Sequence, residues 1–517
     1  MRKTVIGAAL LIAGIAALIL TGHLNILLAI LMIGLVICFH ELGHYLIARL
    51  NGVKVKEFSL GMGPTLVSWK AKKSGTRWSI KLLPFGGSCL MLGDDEALVE
   101  TVGEGSPDDQ DEVETLAGDH GDPDETNEDA VAASGLTEEE REARAKERRD
   151  RILHDSGAFR NKSVWQRISI IFAGPFFNFI LAFLLACIIL GSIGYDPALV
   201  TTVSDEVASA TGLAVGDKIL EYEGHSITIG RDLTLYENLD GVPTTTITIK
   251  YEHEGKTYEK TYDSVYTKRY MCGIGYNEYR DGTVVPMTLT QVVGAAEAAG
   301  LKVGDKIVRF QGETIGTATD FRNYVDEHPI GADPVVFVVE RDGQELTYTV
   351  NPILQESYSL GFGYNIDYRE KVGPIGVIRY GAHEVTYWIK ATIKSLAYML
   401  KGKAHKEDVG GAVRIVSEMS NVVDESYKTD GAFYAFLNLI NWAILLSANL
   451  GVMNLLPIPA LDGGRLLFLF IEAIRGKKAN PKVEGYVTLV GFILLMLLMV
   501  IILFNDISNV FGMILPR

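Results

Sequence analysis

Two histidines and one glutamate lie within the short segment His40-Glu41-Leu42-Gly43-His44, inside a long apolar run. On a helix, residues four apart share one face, so both imidazoles can bind the same zinc ion. Glu41 then lies beside that ion as the general base that accepts a proton from water. Ionisable side chains in a run that can cross a bilayer are costly without a partner, and a metal ion supplies one. The spacing and setting predict a zinc site; the alternative is a pair of interfacial histidines near a helix end.

The third zinc ligand must come from elsewhere, because a catalytic zinc site usually has three protein ligands and one open position. Asp462 is the best candidate, since it follows another long apolar run and is expected at the same membrane depth as His40 and His44. An Asp-Gly pair after a membrane helix is otherwise more often a simple turn. The shared membrane depth of Asp462 and the two histidines favours the interpretation that Asp462 is a zinc ligand.

The residues around Asp462 predict how the aspartate is presented. Pro457 and Pro459 remove helix hydrogen bonds and straighten the backbone, which brings Asp462 inward and frees carbonyls for a substrate strand. Gly463 and Gly464 predict a tight turn directly after the aspartate.

The composition combines a hydrophobic fraction of 48% with a net charge of −16 over 517 residues. Both values have local sources: the apolar residues lie in a few long runs, and the stretch from Asp94 to Glu140 holds about nineteen acidic residues without lysine or arginine. Such a stretch predicts a disordered tether. No basic stripe with interleaved aromatic residues occurs, which argues against a nucleic-acid partner. The four cysteines form no CxxC pair, which argues against a disulfide framework and a thiolate metal site.

Five apolar runs predict a polytopic helical membrane protein. The predicted spans are residues 1–22, 23–51, 161–195, 433–465 and 484–504. The first run resembles a signal peptide, but no small-x-small cleavage site follows it, so an uncleaved span is favoured. Lysines and arginines concentrate at the N-terminus and in the connections between spans two and three and between spans four and five, which places these parts in the cytoplasm.

Inside the third predicted span, Gly174-Pro175 and Asn178 interrupt an otherwise lipid-like helix. Such a break predicts close packing against another span, with Asn178 turned towards the protein interior. Asn178 is then either a packing residue or a residue of the site.

Three further segments lie between the spans. Residues 52–93 alternate apolar and polar residues around Gly86 and Gly87, which predicts β-hairpins that pack on protein or line a wet cavity; an ordinary cytosolic hairpin is the alternative. Residues 94–160 hold the acidic insert and then a charged helix. Residues 367–432 predict an amphipathic segment on the periplasmic side or on the membrane surface, with packing beneath the neighbouring domains as the alternative.

An internal repeat fills the soluble part of the chain. Thr211–Ile219 returns as Ala299–Ile307, and Gly273–Asn277 returns as Gly361–Asn365, both after about ninety residues. This offset predicts two copies of one α+β domain, residues 197–280 and 281–366. The Gly-Leu-x-x-Gly-Asp pattern is typical of PDZ domains, which bind an extended peptide at a sheet edge, although two spacer domains without ligands remain the alternative.

Together these motifs resemble the site-two proteases, zinc-dependent intramembrane metalloproteases, and in particular their RseP-like bacterial branch with two PDZ domains. The segments HELGH, FSLGMGP, LPFGG, AGPFFNF, the repeats and NLLPIPALDGG occur in the order of that family. The resemblance implies zinc ligation by His40, His44 and Asp462, a general base at Glu41 and a substrate-holding Asn454. It also implies that residues 57–92 form a membrane re-entrant β-structure that clamps the substrate as a strand. The extra first span and the long acidic insert depart from the family pattern.

The predicted fold is therefore a polytopic α-helical membrane protein with an HExxH zinc-metalloprotease core, a re-entrant β-hairpin and two extracytoplasmic PDZ-like α+β domains. The predicted function is hydrolysis of peptide bonds in transmembrane segments of single-span membrane proteins, such as anti-sigma factors or remnant signal peptides, with Zn²⁺ as cofactor. The alternative is a tandem-PDZ membrane scaffold or chaperone with a structural zinc site. The predicted substrate-binding residues are Asn454, Pro457, Pro459, Gly86, Gly87 and Asn178.

Overall fold

The computed structural model describes residues 24–94, 154–276, 286–365, 368–403, 410–478 and 480–514. The chain divides into two compact units, one formed by Met1–Tyr195 with Arg369–Arg517 and the other by Asp196–Tyr368. The predicted span at 1–22 and nearly all of the insert at 94–160 lie outside the described residues.

The secondary structure elements of the described part are numbered in chain order. The helices are α1 (Leu24–Leu50), α2 (Val164–Ile193), α3 (Asp205–Thr211), α4 (Gly230–Asp240), α5 (Ala295–Ala298), α6 (Ala318–Glu327), α7 (Pro374–Leu400), α8 (Ala412–Thr429), α9 (Ala432–Leu455), α10 (Asp462–Arg475) and α11 (Pro481–Ile514). The strands are β1 (Val55–Lys70), β2 (Arg77–Met91), β3 (Val200–Val203), β4 (Lys218–Tyr222), β5 (His225–Ser226), β6 (Thr246–His253), β7 (Lys256–Asp263), β8 (Val265–Met271), β9 (Ile274–Tyr276), β10 (Leu289–Val292), β11 (Lys306–Phe310), β12 (Glu313–Thr314), β13 (Val335–Arg341), β14 (Gln344–Val350), β15 (Ile353–Ser359) and β16 (Phe362–Tyr364).

Within the described residues, four helices are long and apolar enough to cross a membrane: α1, α2, α9 and the part of α11 from Val483 to Phe504. They coincide with four of the predicted runs, one of which lies within the predicted segment at 433–465. Its helix ends at Leu455, because the prolines that follow cannot donate helix hydrogen bonds.

Helix α2 is the centre of the first unit, and α1, α7, α9 and α10 all pack against it. The predicted interruption at Gly174-Pro175 does not break this helix, which runs on through Pro175. The contact with α1 is a backbone contact: a Cβ atom on Gly43 would lie 2.4 Å from the carbonyl oxygen of Ala173. Gly43 therefore lets the two histidines of α1 come close to α2.

Strands β1 and β2 form the predicted β segment between α1 and α2. Residues 57–60 of β1 pair on both sides, with residues 77–80 and with residues 87–90 of β2. Strand β2 also packs against α1. Three aromatic side chains (Tyr45, Phe58 and Trp78) contact one another at ring distances of 4.6 to 5.6 Å and join the strands to α1.

The segment predicted as amphipathic at 367–432 forms helices α7 and α8. One side of α7 packs directly on the spans. A Cβ atom on Gly381 would lie 2.8 Å from the sulfur of Cys187 in α2, and Thr392 donates a hydrogen bond to the amide oxygen of Asn449 in α9.

The second unit has two hydrophobic cores, each beside a four-stranded sheet. The sheet orders are β5-β4-β6-β7 and β12-β11-β13-β14, so the two halves repeat the same arrangement. A separate two-stranded ladder joins β8 to β15.

These cores divide the chain differently from the predicted boundaries 197–280 and 281–366. Strand β9, from the first half of the sequence, pairs with β10 in the second domain, whereas β16, from the second half, pairs with β3 in the first. Phe362 of β16 accordingly packs in the core with Val200 and Ile247, and Cys272 packs in the other core with Phe337. The second domain is thus inserted into the first.

Candidate metal centre

Helix α1 presents His40 and His44 one turn apart, and Asp462 reaches them from the first turn of α10. The Nε2 atoms of the two histidines are 3.2 Å apart. The Oδ2 atom of Asp462 lies 3.1 Å from the Nε2 of His40 and 3.3 Å from that of His44. Both histidines are buried, with 7% and 6% of their surface exposed. The structure therefore brings the three predicted ligands together.

The hydrogen bonds of His44 determine which of its nitrogens is free. Its Nδ1 lies 2.9 Å from the carbonyl oxygen of Ile170 in α2. A carbonyl can only accept, so Nδ1 carries the proton and Nε2 keeps a lone pair.

The three facing atoms fit a zinc ion. The Oδ2 of Asp462 is buried and faces the Nε2 atoms of both imidazoles. Ligands about 2.0–2.2 Å from a tetrahedral zinc are separated by about 3.3–3.5 Å. The observed separations of 3.1 to 3.3 Å are close to these values.

Asn178 of α2 is fully buried against the other nitrogen of His40. Its amide lies 3.2 Å from Nδ1 through Nδ2, while its Oδ1 has no hydrogen-bond partner within the described residues. An asparagine amide is nearly symmetric in shape, and half a turn places Oδ1 where it accepts from Nδ1–H. That arrangement leaves the Nε2 of His40 free for the metal ion.

Gly174 was not among the predicted site residues, although the structure places it against both histidines. A Cβ atom there would lie 2.2 Å from the Nε2 of His44 and 2.8 Å from the Cε1 of His40. The position therefore has no room for any side chain. The sequence signal was the Gly-Pro pair, which we interpreted as a helix break that allows close packing against another span, without naming the histidines as its neighbours.

The connection between α9 and α10 positions Asp462. Ala460 has a φ of +75°, an unfavourable conformation for a residue with a side chain. The tight turn predicted at Gly463 and Gly464 is absent, since both residues lie in the first turn of α10. Their small size serves close packing instead: Cβ atoms would lie 2.2 Å from the carbonyl oxygen of Leu456 and 2.5 Å from that of Ile458.

Glu41, the predicted general base, lies next to the β segment. A Cβ atom on Gly87 would be 2.8 Å from the Cγ of Glu41, so only glycine lets β2 approach so closely. The preceding Gly86 has a φ of +89°, which glycine adopts readily. The backbone of β2 thus passes directly beside the carboxylate.

The other predicted substrate-binding residues lie around the same centre. The amide nitrogen of Asn454 is 3.5 Å from the Nε2 of His40. Pro457 is exposed, and Pro459 is partly buried beside α11, where a Cβ atom on Gly491 would lie 2.4 Å from its Cβ. All three residues are at the end of α9 or in the connection that leads to Asp462.

A sequence profile described as Peptidase family M50 matches residues 28–498. The chain belongs to peptidase family M50. It is similar to the zinc metalloprotease RasP of Geobacillus kaustophilus, with 30% identity across 94% of this chain and 98% of the relative. The regulator of sigma-W protease RasP of Bacillus subtilis is also 30% identical, over 93% and 98% of the two chains. The regulator of sigma-E protease RseP of Salmonella typhimurium is 26% identical, over 94% and 98%.

Membership of family M50 confirms three predictions: the resemblance to site-two proteases, the zinc metalloprotease activity and the Zn²⁺ cofactor. Together with the four apolar helices, it also identifies a membrane protein.

Proposed function

We propose that this M50 peptidase hydrolyses peptide bonds within or beside transmembrane segments of single-span proteins in the bacterial cytoplasmic membrane. The observation that carries the proposal is the convergence of three ligand atoms, two of them on an apolar helix, with Glu41 in the same helix between the two histidines. His40 and His44 lie inside a helix that can span a membrane, so a peptide bond that reaches them must come from within the membrane or from its surface.

The chemistry is divided between the metal ion and the side chains. A Zn²⁺ ion held by His40, His44 and Asp462 would supply Lewis acidity, which polarises a carbonyl group and makes water more acidic. Glu41 accepts the proton of the attacking water and passes it to the nitrogen of the leaving amine as the C–N bond breaks. The Ile170 carbonyl and the Asn178 amide hold the two imidazoles in the orientation for metal binding.

The substrate must reach this centre as an extended strand, because a helix keeps its carbonyl groups in its own hydrogen bonds. The backbone at Gly86 and Gly87 lies beside Glu41, where pairing with β2 would replace hydrogen bonds that the unwound substrate loses. Asn454 can donate to the substrate backbone from the other side of His40. Pro457 and Pro459 leave carbonyls of the connection free for the same strand.

The names of the relatives suggest the substrate class. Those from Bacillus subtilis and Salmonella typhimurium are called regulators of sigma-W and sigma-E. For this chain we therefore propose anti-sigma-factor-like proteins or remnant signal peptides as substrates. The two domains of the second unit would face the outside, as PDZ-like modules that bind or exclude the outer part of a substrate.

The test is cleavage of a tagged single-span protein, truncated on its outer side, by the wild type and by Glu41→Gln. Loss of a general base lowers the rate about 10²–10⁴-fold, while the zinc content should stay that of the wild type because no ligand has changed. Equal cleavage by both proteins would refute the assigned base. No cleavage by either, across several spans, would favour the scaffold with a structural zinc site.

A further inference from the structure

An almost entirely apolar groove of about 400 Å³ lies between α11 and the connection that precedes Asp462. Its walls include Ile458 and Pro459 on one side and Val487, Val490, Leu494 and Leu498 on the other. The zinc ligands and Glu41 are not part of its lining.

Helix α11 is fixed beside this connection at two places. Near the middle, Gly491 packs directly on Pro459, and a Cβ atom at Gly491 would also lie 2.7 Å from the Pro459 carbonyl oxygen. Further along, the buried carboxylate of Asp506 accepts hydrogen bonds from the backbone nitrogens of Gly411 (3.0 Å) and Arg414 (3.2 Å) at the start of α8. The outer wall of the groove is therefore anchored directly beside Val490 and again near the C-terminal end of α11.

The chain length from the groove to the metal centre is short. Pro459 precedes Asp462 by three residues, and a fully extended chain spans at most about 3.6 Å per residue. The lining proline is thus within about 11 Å of the ligand, measured between Cα atoms. A strand rises about 3.3 Å per residue, so the groove lies within three or four residues of a bond held at the metal.

We propose that this groove binds one large apolar side chain of the substrate, within about four residues of the scissile bond; this rests on the proposed function. Its volume of about 400 Å³ is near the lower end of the range of ligand pockets, about 300–1,000 Å³. It has room for one large side chain but not for a whole helix, which is about 10–12 Å across. The occupant is a substrate side chain, because the groove wall is continuous with the connection that carries Asp462.

The test uses a single-span substrate whose cleaved bond is mapped by mass spectrometry. Alanine, leucine and phenylalanine are placed in turn at each of the four positions on either side of that bond, and kcat/KM is measured. The full-length variants are Val490→Trp, which fills the groove, and Val490→Ala, which enlarges it. Val500→Trp is the matched control: Val490 and Val500 are both 56% exposed on α11, and Val500 does not line the groove.

The wild type should prefer a large residue at one position. Val490→Trp should lower the leucine-to-alanine ratio of kcat/KM there by about 10-fold, mainly through KM, as expected for an apolar pocket. Val490→Ala should shift the preference towards phenylalanine, and Val500→Trp should keep the wild-type ratio.

An unchanged ratio at every position in both Val490 variants, with cleavage still dependent on Glu41, would overturn the subsite and leave a lipid acyl chain as the occupant. An equal loss in Val490→Trp and Val500→Trp would overturn it as well. Absence of all Glu41-dependent cleavage in the wild type would instead refute the proposed function on which the subsite rests.

Discussion

At the scale of single residues, each imidazole of the metal centre depends on a neighbour in α2. His44 donates from Nδ1 to a backbone carbonyl, which no substitution can remove, but His40 faces the side chain of Asn178. The proton on His40 Nδ1 is therefore controlled by one amide. That makes the role of Asn178 testable separately from the ligands.

Asn178→Leu should weaken zinc binding about 10–100-fold, the usual effect of losing a hydrogen-bond partner behind a ligand histidine. Asn178→Asp should stay close to the wild type, because a carboxylate oxygen also accepts from Nδ1–H. Competition with a zinc chelator measures both affinities. If the aspartate variant binds as weakly as the leucine variant, the amide presents its NH₂ group to His40 and the proposed orientation is wrong.

Gly174→Ala should abolish zinc binding and activity, since its Cβ would overlap the Nε2 of His44. Gly191→Ala is the control on the same helix, because a Cβ atom there meets nothing within 4 Å. Zinc content per purified chain and cleavage rate are the measurements. Wild-type zinc content in Gly174→Ala would contradict the close approach of α2 to the ligands.

The meeting of His40, His44 and Asp462 could be predicted, because His40 and His44 are four residues apart on one helix and Asp462 follows an apolar run. The role of Gly174 could not, because it arises only where α2 crosses α1. A glycine in an apolar helix has many possible packing roles, and sequence spacing does not indicate which neighbour it meets.

At the scale of elements, the two domains of the second unit each have an ion pair at the equivalent position, but the two pairs differ in chemistry. In the first, Asp217 accepts from the backbone of Ala214 and lies 2.6 Å from Nδ1 of His253. In the second, Asp305 accepts likewise from a backbone nitrogen and pairs with Arg341 at 2.6 Å. Only the first pair can lose its positive charge near neutral pH.

The hydrogen bond to Asp217 raises the pKa of His253 above its usual 6.5. The pair therefore stabilises the first domain fully below about pH 6.5, and this contribution is lost as the pH rises through the raised pKa. Amide hydrogen exchange in β4 and β6 should accelerate with pH relative to the equivalent strands β11 and β13.

His253→Arg should make the ratio of the exchange rates in β4 and β6 to those in β11 and β13 independent of pH, because arginine stays charged. The second domain serves as the internal control for the intrinsic pH dependence of exchange. If this ratio of exchange rates does not change with pH in the wild type, the His253–Asp217 pair contributes nothing to stability.

The repeat was readable from sequence, but the pairing of its pieces was not. Gly273–Asn277 and Gly361–Asn365 are nearly the same pentapeptide, so neither carries a preference for the first or the second core. Each pentapeptide follows one strand of the β8–β15 ladder, which pairs segments that are far apart in the chain.

At the scale of the whole molecule, the distribution of positive charge predicts opposite sides for the β1–β2 turn and the second unit. In a background without the four native cysteines, Lys73→Cys and Val215→Cys provide exposed sites in the turn and in the first domain. An impermeant maleimide should label Val215→Cys in intact cells and Lys73→Cys only after permeabilisation. Labelling of both in intact cells would contradict the proposed topology.

The insertion of one domain into the other also determines an order of completion during synthesis. Thr202 and Gly363, which are hydrogen-bonded neighbours of the first domain, are 161 residues apart in the chain. At about 5–20 residues per second, roughly 8–30 s pass between the synthesis of β3 and that of its partner β16. All the strands of the second domain, which is inserted into the first, are therefore synthesised before the first domain is complete. Until then the first domain lacks β16 and the edge of β3 is unpaired. The domain whose synthesis begins first is thus the last to be completed.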